Sequence, residues 1–225
     1  MASYWPSLGK YVEGLDKAGK LVRVTTPVNK DTELHPLVRL QFRGLPESQR
    51  KAFLFENVVD SRGKSYDIPV LVGALAGSAE IYALGMGCAI DEIPGVWRTA
   101  LANPLTPTEV KDASCQEVVI TGDELTRPGG GLGRLPIPIS TPGFDNAPYT
   151  TASHWVSKHP DTGMHNLGNY RGMMKAENRI GAPMTIAAGM RSTPFARHRS
   201  RCSRMPTPSI PGSAPIRFSA LAIPR

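Results

Sequence analysis

The sequence predicts a mixed α/β (α+β) protein, with an α/β region over residues 1–112 and a mainly antiparallel β region over residues 113–190. Three observations support this fold class. Helical periodicity and short apolar runs alternate through most of the first region, which is typical of α/β units. Pro104, Pro107 and the polar residues after them then interrupt the alternation. From Thr150 onward the signals are those of strands.

Four helices are predicted in the first region. The first follows Ser7, which can cap it, and ends before Gly19. The second begins with Asp31 or Thr32 as its cap. The predicted helices span about 8–18, 31–42, 78–86 and 92–102.

Short apolar runs, rich in branched and aromatic residues, predict the strands. Their ranges are 21–24, 52–58, 68–72, 116–120 and 172–175. A glycine-rich segment over residues 128–133 invites comparison with a phosphate-binding loop. It lacks both the strand-to-helix context and the Lys-Ser or Lys-Thr of that motif, so a surface connection is the favoured interpretation.

The charge of the chain is concentrated at one end. The formal net charge is +7, and residues 191–225 hold seven Arg, six Pro and no Lys, Asp or Glu, so the rest of the chain is balanced. A segment of this composition can bury little apolar surface, which predicts a disordered tail. The tail is either a basic arm for an anionic partner or the product of out-of-frame translation, and we favour the second interpretation.

The remaining composition is that of an ordinary globular protein. No run of eighteen apolar residues is present, and the first residues lack the pattern of a secretion signal, so we expect a cytoplasmic protein without a membrane partner. Cys88, Cys115 and Cys202 are far apart and lack the spacing of a zinc site. We therefore expect reduced thiols.

The segment from Thr150 to Arg171 is the most informative part of the chain. It consists of two strand-like arms around the turn Pro160–Gly163, whose residue types favour a tight turn. The second arm brings an amide, a phenol and a guanidinium together at Asn166, Tyr170 and Arg171. A hairpin with a polar, solvated face explains these residue types equally well.

The motifs that precede this hairpin, together with the hairpin itself, resemble the UbiD family of decarboxylases, which use prenylated FMN. The motifs are Arg134–Pro138 (RLPIP), the loop Thr141–Tyr149 (TPGFDNAPY), and the hairpin with its Asn166 and Tyr170-Arg171. They keep the family's order and spacing across about residues 115–181, whereas residues 7–112 match its amino-terminal region more loosely. Beyond about Met190 we recognise no resemblance.

The resemblance implies a fold, a cofactor and a reaction. Residues 113–190 would be part of a split β-barrel that binds flavin. The reaction would be the non-oxidative, reversible decarboxylation of an aromatic or α,β-unsaturated carboxylic acid, since a cofactor must accept the electrons that CO2 leaves behind. The implied cofactors are prenylated FMN, a divalent metal (Mn or Mg) and K. The implied partners are the small-molecule acid and further copies of the chain, without nucleic acid.

The resemblance also assigns roles to individual residues. Asn166 matches a metal ligand, and Arg171 matches a catalytic arginine that clamps the substrate carboxylate. Taken alone, a backbone-bonded turn residue or a salt bridge with Glu177 would explain these two residues. The residues that match flavin contacts are Thr151, Asn166, Leu167, Gly168, Asn169, Tyr170 and Arg171, of which Asn169 departs from the usual residue type.

Several family features have no counterpart in this sequence. No Asp or Glu follows Glu177, so the expected acidic metal ligand and proton donor are missing, and His198 is the only later histidine. We therefore expect a chain that is inactive and prone to aggregate. The alternative is a non-catalytic fragment that binds flavin or nucleotide, or a protein that interacts through its basic tail. A metal site built from His154, His159 and His165 is disfavoured, since strand alternation separates them.

Overall fold

The computed structural model describes residues 5–103, 105, 110, 111, 117–158 and 165–181. It confirms the mixed α/β class: four helices and several small sheets are present in these residues. The helices are α1 (Leu8–Lys17), α2 (Leu34–Gly44), α3 (Ala79–Met86) and α4 (Ile93–Ala102). Short 3-10 helices lie at Glu47–Gln49, Gly122–Leu125 and Gly131–Arg134. No helix within the described ranges is long and apolar enough to cross a membrane.

Two of the helices begin at serine caps. The first N–H groups of a helix have no backbone acceptor, and a serine hydroxyl can accept a hydrogen bond from one of them. The Ser7 hydroxyl accepts a hydrogen bond from the Lys10 N–H at 3.2 Å, and Ser78 does the same for Ile81. Helix α1 is followed by Gly19, whose φ of 66° favours glycine. Helix α2 differs from the prediction, because Asp31 and Thr32 lie in the turn before it and neither caps it.

The first sheet has the strand order β1-β3-β6. Strands β1 (Leu21–Val24) and β3 (Ala52–Phe55) are parallel, and β6 (Val70–Val72) runs antiparallel to β3. Helices α1 and α3 supply much of the core against this sheet. Its fully or nearly fully buried members include Leu15, Ala52, Leu54 and Ile81.

A second small sheet lies beside the first and has the order β2-β4-β5. Strand β2 (Val28–Asn29) is parallel to β4 (Val58–Val59), which is antiparallel to β5 (Ser65–Tyr66). The single strand predicted over residues 52–58 is therefore two strands, β3 and β4, in different sheets. Helix α2 packs on this part of the protein through a second core cluster: Val28, Leu34, Val38, Phe55 and Val58.

The second half of the described chain is built from antiparallel strands, as predicted. Strand β10 (Gly172–Ala176) lies between β7 (Tyr149–Thr150) and β11 (Arg179–Gly181). Strands β8 (His154–Lys158) and β9 (His165–Asn169) pair antiparallel, so both arms of the expected hairpin form. Its predicted turn at Pro160–Gly163 lies outside the described residues.

The predicted strand over residues 116–120 is wrong for the part that the structure describes. Residues 117–120 form a bend and irregular backbone. Val118 is 69% exposed and Val119 is 70% exposed, so the apolar run that suggested a strand has no packing surface to fix it. The proposed tail, residues 191–225, lies outside the described part of the chain.

Candidate functional site

Arg171 lies between β9 and β10 and makes the most specific polar contact near the predicted site. Its Nη2 donates to both carboxylate oxygens of Asp145, at 3.1 Å to Oδ1 and 3.2 Å to Oδ2. Its guanidinium carbon stands 4.2 Å from the centroid of the Tyr149 ring, a cation–π contact. The Arg171 side chain is 46% exposed. Among the described residues, its other guanidinium N–H groups have no hydrogen-bond partner.

The Asp145 carboxylate is held from the other side by its own loop. The Thr141 N–H donates to Asp145 Oδ2 at 2.9 Å, and the Asp145 N–H donates to the Thr141 carbonyl at 2.9 Å. Arg39 of α2 donates from Nη2 to the Thr141 hydroxyl at 2.8 Å. The Asp145 side chain is only 13% exposed. The loop, α2 and Arg171 therefore meet at one carboxylate.

This pairing corrects one expectation. We considered Glu177 as the salt-bridge partner of Arg171, and the structure shows Asp145 instead. Strand β7 pairs with β10 and so brings the loop before β7 next to the residue before β10. The sequence shows the motif that contains Asp145 but not this pairing.

The electrostatics of the cluster lower the pKa of both Asp145 and His35. Burial alone raises the pKa of Asp145, but hydrogen bonds from Arg171 and Thr141, with the nearby positive charges, lower it below the ordinary value of 3.8. His35 lies on α2 in the same cluster. Burial lowers its pKa below 6.5, the charges of Arg39 and Arg171 act in the same direction, and Asp145 only partly opposes them.

A second network fixes the backbone just before Arg171. The Tyr170 carbonyl accepts from the Ser153 hydroxyl at 2.8 Å and from Trp155 Nε1 at 3.0 Å. The Ser153 hydroxyl is also 2.9 Å from the Thr150 hydroxyl, in the strand that pairs with β10. The peptide that leads into Arg171 is therefore held by two side-chain donors.

The structure places the predicted site residues in the bend after β7, in β9 and in the residues that follow β9. Thr151 is exposed in the bend after β7. Asn166, Leu167 and Gly168 lie in β9, paired with Ser157, Val156 and Trp155 of β8. Asn169 ends β9 and is exposed, while Tyr170 is half-buried. The roles assigned to these residues stay predictions, as does the metal role of Asn166.

No group of three or more His, Cys, Asp or Glu side chains within the described ranges is arranged to hold a metal ion. Of the three histidines we considered, His154 is exposed on β8 and pairs with Asn169, and His159 lies outside those ranges.

The glycine-rich segment is a packing element. A side-chain carbon at Gly131 would overlap the Glu177 carbonyl, and one at Gly133 would overlap the Glu177 carboxylate. The Leu132 N–H donates to the Glu177 carbonyl at 2.8 Å, and the Gly129 N–H donates to Glu177 Oε1 at 3.2 Å. The glycines therefore let this segment approach the β10–β11 turn closely, and this explains them without a phosphate ligand.

Sequence reasoning missed Asp145, Arg39 and His35 as members of the cluster. Asp145 was visible in the sequence as an acidic residue in a Pro-Gly turn close to the hairpin. The other two belong to a helix more than a hundred residues from Thr141, and no local pattern signals that contact.

Two family models match the chain. The N-terminal domain of 3-octaprenyl-4-hydroxybenzoate carboxy-lyase (UbiD) matches residues 12–98, and the Rift-related domain of the same family matches residues 108–224. The second range runs past Met190, where we expected the resemblance to end.

Solved structures with a similar fold include the UbiD-class enzyme HmfF from Pelotomaculum thermopropionicum in complex with FMN. The identity is 28% and the TM-score 0.65, over 78% of this chain and 36% of that one. An evolved dimeric form of HmfF in complex with prFMN gives 29% and 0.66, over 80% and 38%. Vanillic acid decarboxylase from Sedimentibacter hydroxybenzoicus, in its closed form, gives 24% and 0.72, over 88% and 41%. The chain thus spans about two fifths of the length of these enzymes.

Proposed function

Since the chain belongs to the UbiD family, we propose that it carries part of the active site of a carboxy-lyase that uses prenylated FMN. The proposed substrate is an aromatic or α,β-unsaturated carboxylic acid. The observation that carries the proposal is Arg171: among the described residues, its guanidinium is hydrogen-bonded only to Asp145 and only through one nitrogen. Support comes from the HmfF structures, which contain FMN or prFMN.

The proposed reaction divides the work between cofactor and protein. Loss of CO2 would leave an electron pair on carbon, for which a bound flavin would supply the electron sink, and a proton would take the place of the carboxylate. Arg171 would bind the substrate carboxylate through its open N–H groups, since a planar guanidinium matches a carboxylate in shape and charge. The Tyr149 ring and Asp145 would keep the guanidinium in place.

Cofactor binding is proposed for the segment that leads into Arg171. Thr151 and the residues from Asn166 to Tyr170 would contact the flavin, and the Asn166 amide oxygen would ligate Mn or Mg together with the flavin phosphate. K is proposed as a further ion. The network of Ser153 and Trp155 around the Tyr170 carbonyl supports this role, because it holds the backbone of that segment rigid.

We also propose that this chain binds flavin without turning substrate over. Asp145, the acid paired with Arg171, is held in its ionised form by hydrogen bonds and positive charges that lower its pKa. An effective general acid needs a pKa close to the working pH, which Asp145 lacks. The alternative, a fragment that only binds flavin or nucleotide, differs in lacking a carboxylate site at Arg171. A cytoplasmic homo-oligomer is proposed for the intact enzyme.

Two alanine variants test the site. The chain is loaded with prenylated FMN and Mn, and benzoate binding is followed by the change in flavin absorbance. Arg171→Ala should lose benzoate because the carboxylate clamp is removed, and should retain flavin through the other proposed flavin contacts. Asn166→Ala should instead lower flavin retention. Arg179→Ala and Asn178→Ala are matched controls on exposed positions and should change neither.

The absence of turnover is tested separately, by headspace CO2 from the same loaded chain with cinnamate or a hydroxybenzoate. We expect no release above the protein-free control. Release above it would show that the chain supplies a proton donor of its own. Unchanged benzoate binding in Arg171→Ala would reject the carboxylate role of Arg171.

A further inference from the structure

We propose that Asp145 is the positioning residue of Arg171, fixing the guanidinium so that its unbound edge faces an incoming carboxylate. The inference rests on the proposed function and adds a residue to it. Asp145 would not touch the substrate. It would act through Arg171, and it would do so as a carboxylate anion throughout.

The contact geometry supports this role. Both carboxylate oxygens lie within 3.2 Å of the same nitrogen, Nη2, so Asp145 occupies only one corner of the guanidinium. A fork-to-fork pair would have consumed two nitrogens and closed the edge that a substrate needs. The Tyr149 ring, 4.2 Å from the guanidinium carbon, covers one face. The Asp145 contact at Nη2 and the Tyr149 contact on one face together fix the plane of the guanidinium. Neither contact covers the guanidinium edge that lies away from Asp145.

Asp145 is itself held firmly enough to position another side chain. Its Oδ2 receives the Thr141 N–H at 2.9 Å, and the loop is tied to α2 by the 2.8 Å bond from Arg39 to the Thr141 hydroxyl. The carboxylate is 13% exposed, whereas the Arg171 side chain is 46% exposed. The buried, tethered partner therefore sets the position of the more exposed one.

The same surroundings disfavour proton donation by Asp145. The contacts from Arg171 and Thr141 and the positive charge of Arg39 stabilise the ionised carboxylate more than burial destabilises it, so its pKa is lowered. Protonation would also remove half of the ion pair with Arg171. A group with these properties holds a cation in place and is a poor proton donor.

The test is Asp145→Asn in the full chain, with Asp123→Asn as the control. The amide can still accept the Thr141 N–H, so the loop is expected to keep its turn, while the charge that holds Arg171 is removed. The control substitution, Asp123→Asn, removes the same charge at an exposed position. The first readout is NMR of the Arg171 guanidinium N–H signals, assigned with Arg171→Lys. The second is benzoate affinity of the chain loaded with prenylated FMN.

In the wild type we expect slow exchange of the Arg171 guanidinium protons. In Asp145→Asn we expect faster exchange and roughly tenfold weaker benzoate binding, the size that one charge-assisted hydrogen bond allows. Asp123→Asn should match the wild type in both readouts. A merely structural salt bridge would lower the urea midpoint of Asp145→Asn while leaving benzoate affinity unchanged, and that result overturns the proposal.

The outcomes separate the inference from the function on which it rests. If the wild type is rigid at Arg171 but does not bind benzoate, the proposed function fails and the positioning contact stands. If the wild type binds benzoate while its Arg171 signals are already averaged and fast-exchanging, the inference fails and the function stands. The wild-type spectrum decides this even if Asp145→Asn does not fold.

Discussion

Replacing Gly131 by alanine tests whether the glycine-rich segment is a packing element. Gly131 has a φ of 41°, which costs an alanine about 1 kcal/mol. Its added carbon would overlap the Glu177 carbonyl and lie 2.7 Å from the Leu125 carbonyl. Both neighbours are backbone atoms, so they cannot rotate away, and overpacking of this kind costs roughly 1–3 kcal/mol. We expect Gly131→Ala to lower the free energy of unfolding by about 2–4 kcal/mol.

Gly122→Ala is the matched control, because Gly122 also has a positive φ, 60°, but an added carbon there meets nothing within 4 Å. It should lose only the conformational part, about 1 kcal/mol. The assay is urea unfolding followed by circular dichroism, with hydrogen exchange at the Leu132 N–H as a local reporter. That N–H is bound to the Glu177 carbonyl and should exchange faster only in Gly131→Ala. Equal losses in the two variants would refute the packing interpretation.

Two further predictions concern the α/β region. Tyr11→Phe removes a buried hydroxyl that donates to the Ala74 carbonyl at 2.6 Å and also lies 3.1 Å from the Ile81 carbonyl, so urea unfolding should show a loss of about 1–2 kcal/mol. Burial also raises the pKa of Tyr11 to about 12, so the stability it contributes should fall away as pH rises from 10 towards that value. The pKa of His35 lies below 6.5 in the folded protein, so as pH falls the unfolded chain takes up a proton before the folded protein does. Stability should therefore fall as pH drops through 6.5 towards the folded pKa. His35→Gln should reduce the fall in urea midpoint between about pH 7.5 and about pH 5, and an unchanged fall would contradict the assignment.

The sequence predicts local elements well where short-range signals act alone. Ser7 and Ser78 begin their helices, and the strand at Leu21–Val24 has the predicted bounds. The strand predicted over residues 116–120 fails in its described part, 117–120, because an apolar run becomes a strand only when a partner and a packing surface exist. The division of residues 52–58 between two sheets is equally a tertiary effect, since both halves are apolar and extended.

The same distinction between short-range signals and tertiary effects applies to the candidate site. The motif around Arg171 is visible in the sequence because its residues are close together along the chain. The Asp145 pairing depends on which strand joins β10, and the participation of α2 depends on a contact between residues 39 and 141. Neither leaves a local pattern, and a single sequence does not show pairs that are distant along the chain.

The cluster at Asp145 links the two predicted regions of the chain. Arg39 belongs to the α/β region and Thr141 to the β region, and a second contact joins Lys64 Nζ to the Gly133 carbonyl at 2.5 Å. Helix α2 is anchored in its own core by Leu34, which is fully buried. The backbone that carries Arg39, on the same helix, is therefore held in place. The orientation of the proposed catalytic guanidinium therefore depends on packing in both regions. The α/β region then contributes to the site through the loop that holds Asp145, although none of its residues was predicted to contact substrate or cofactor.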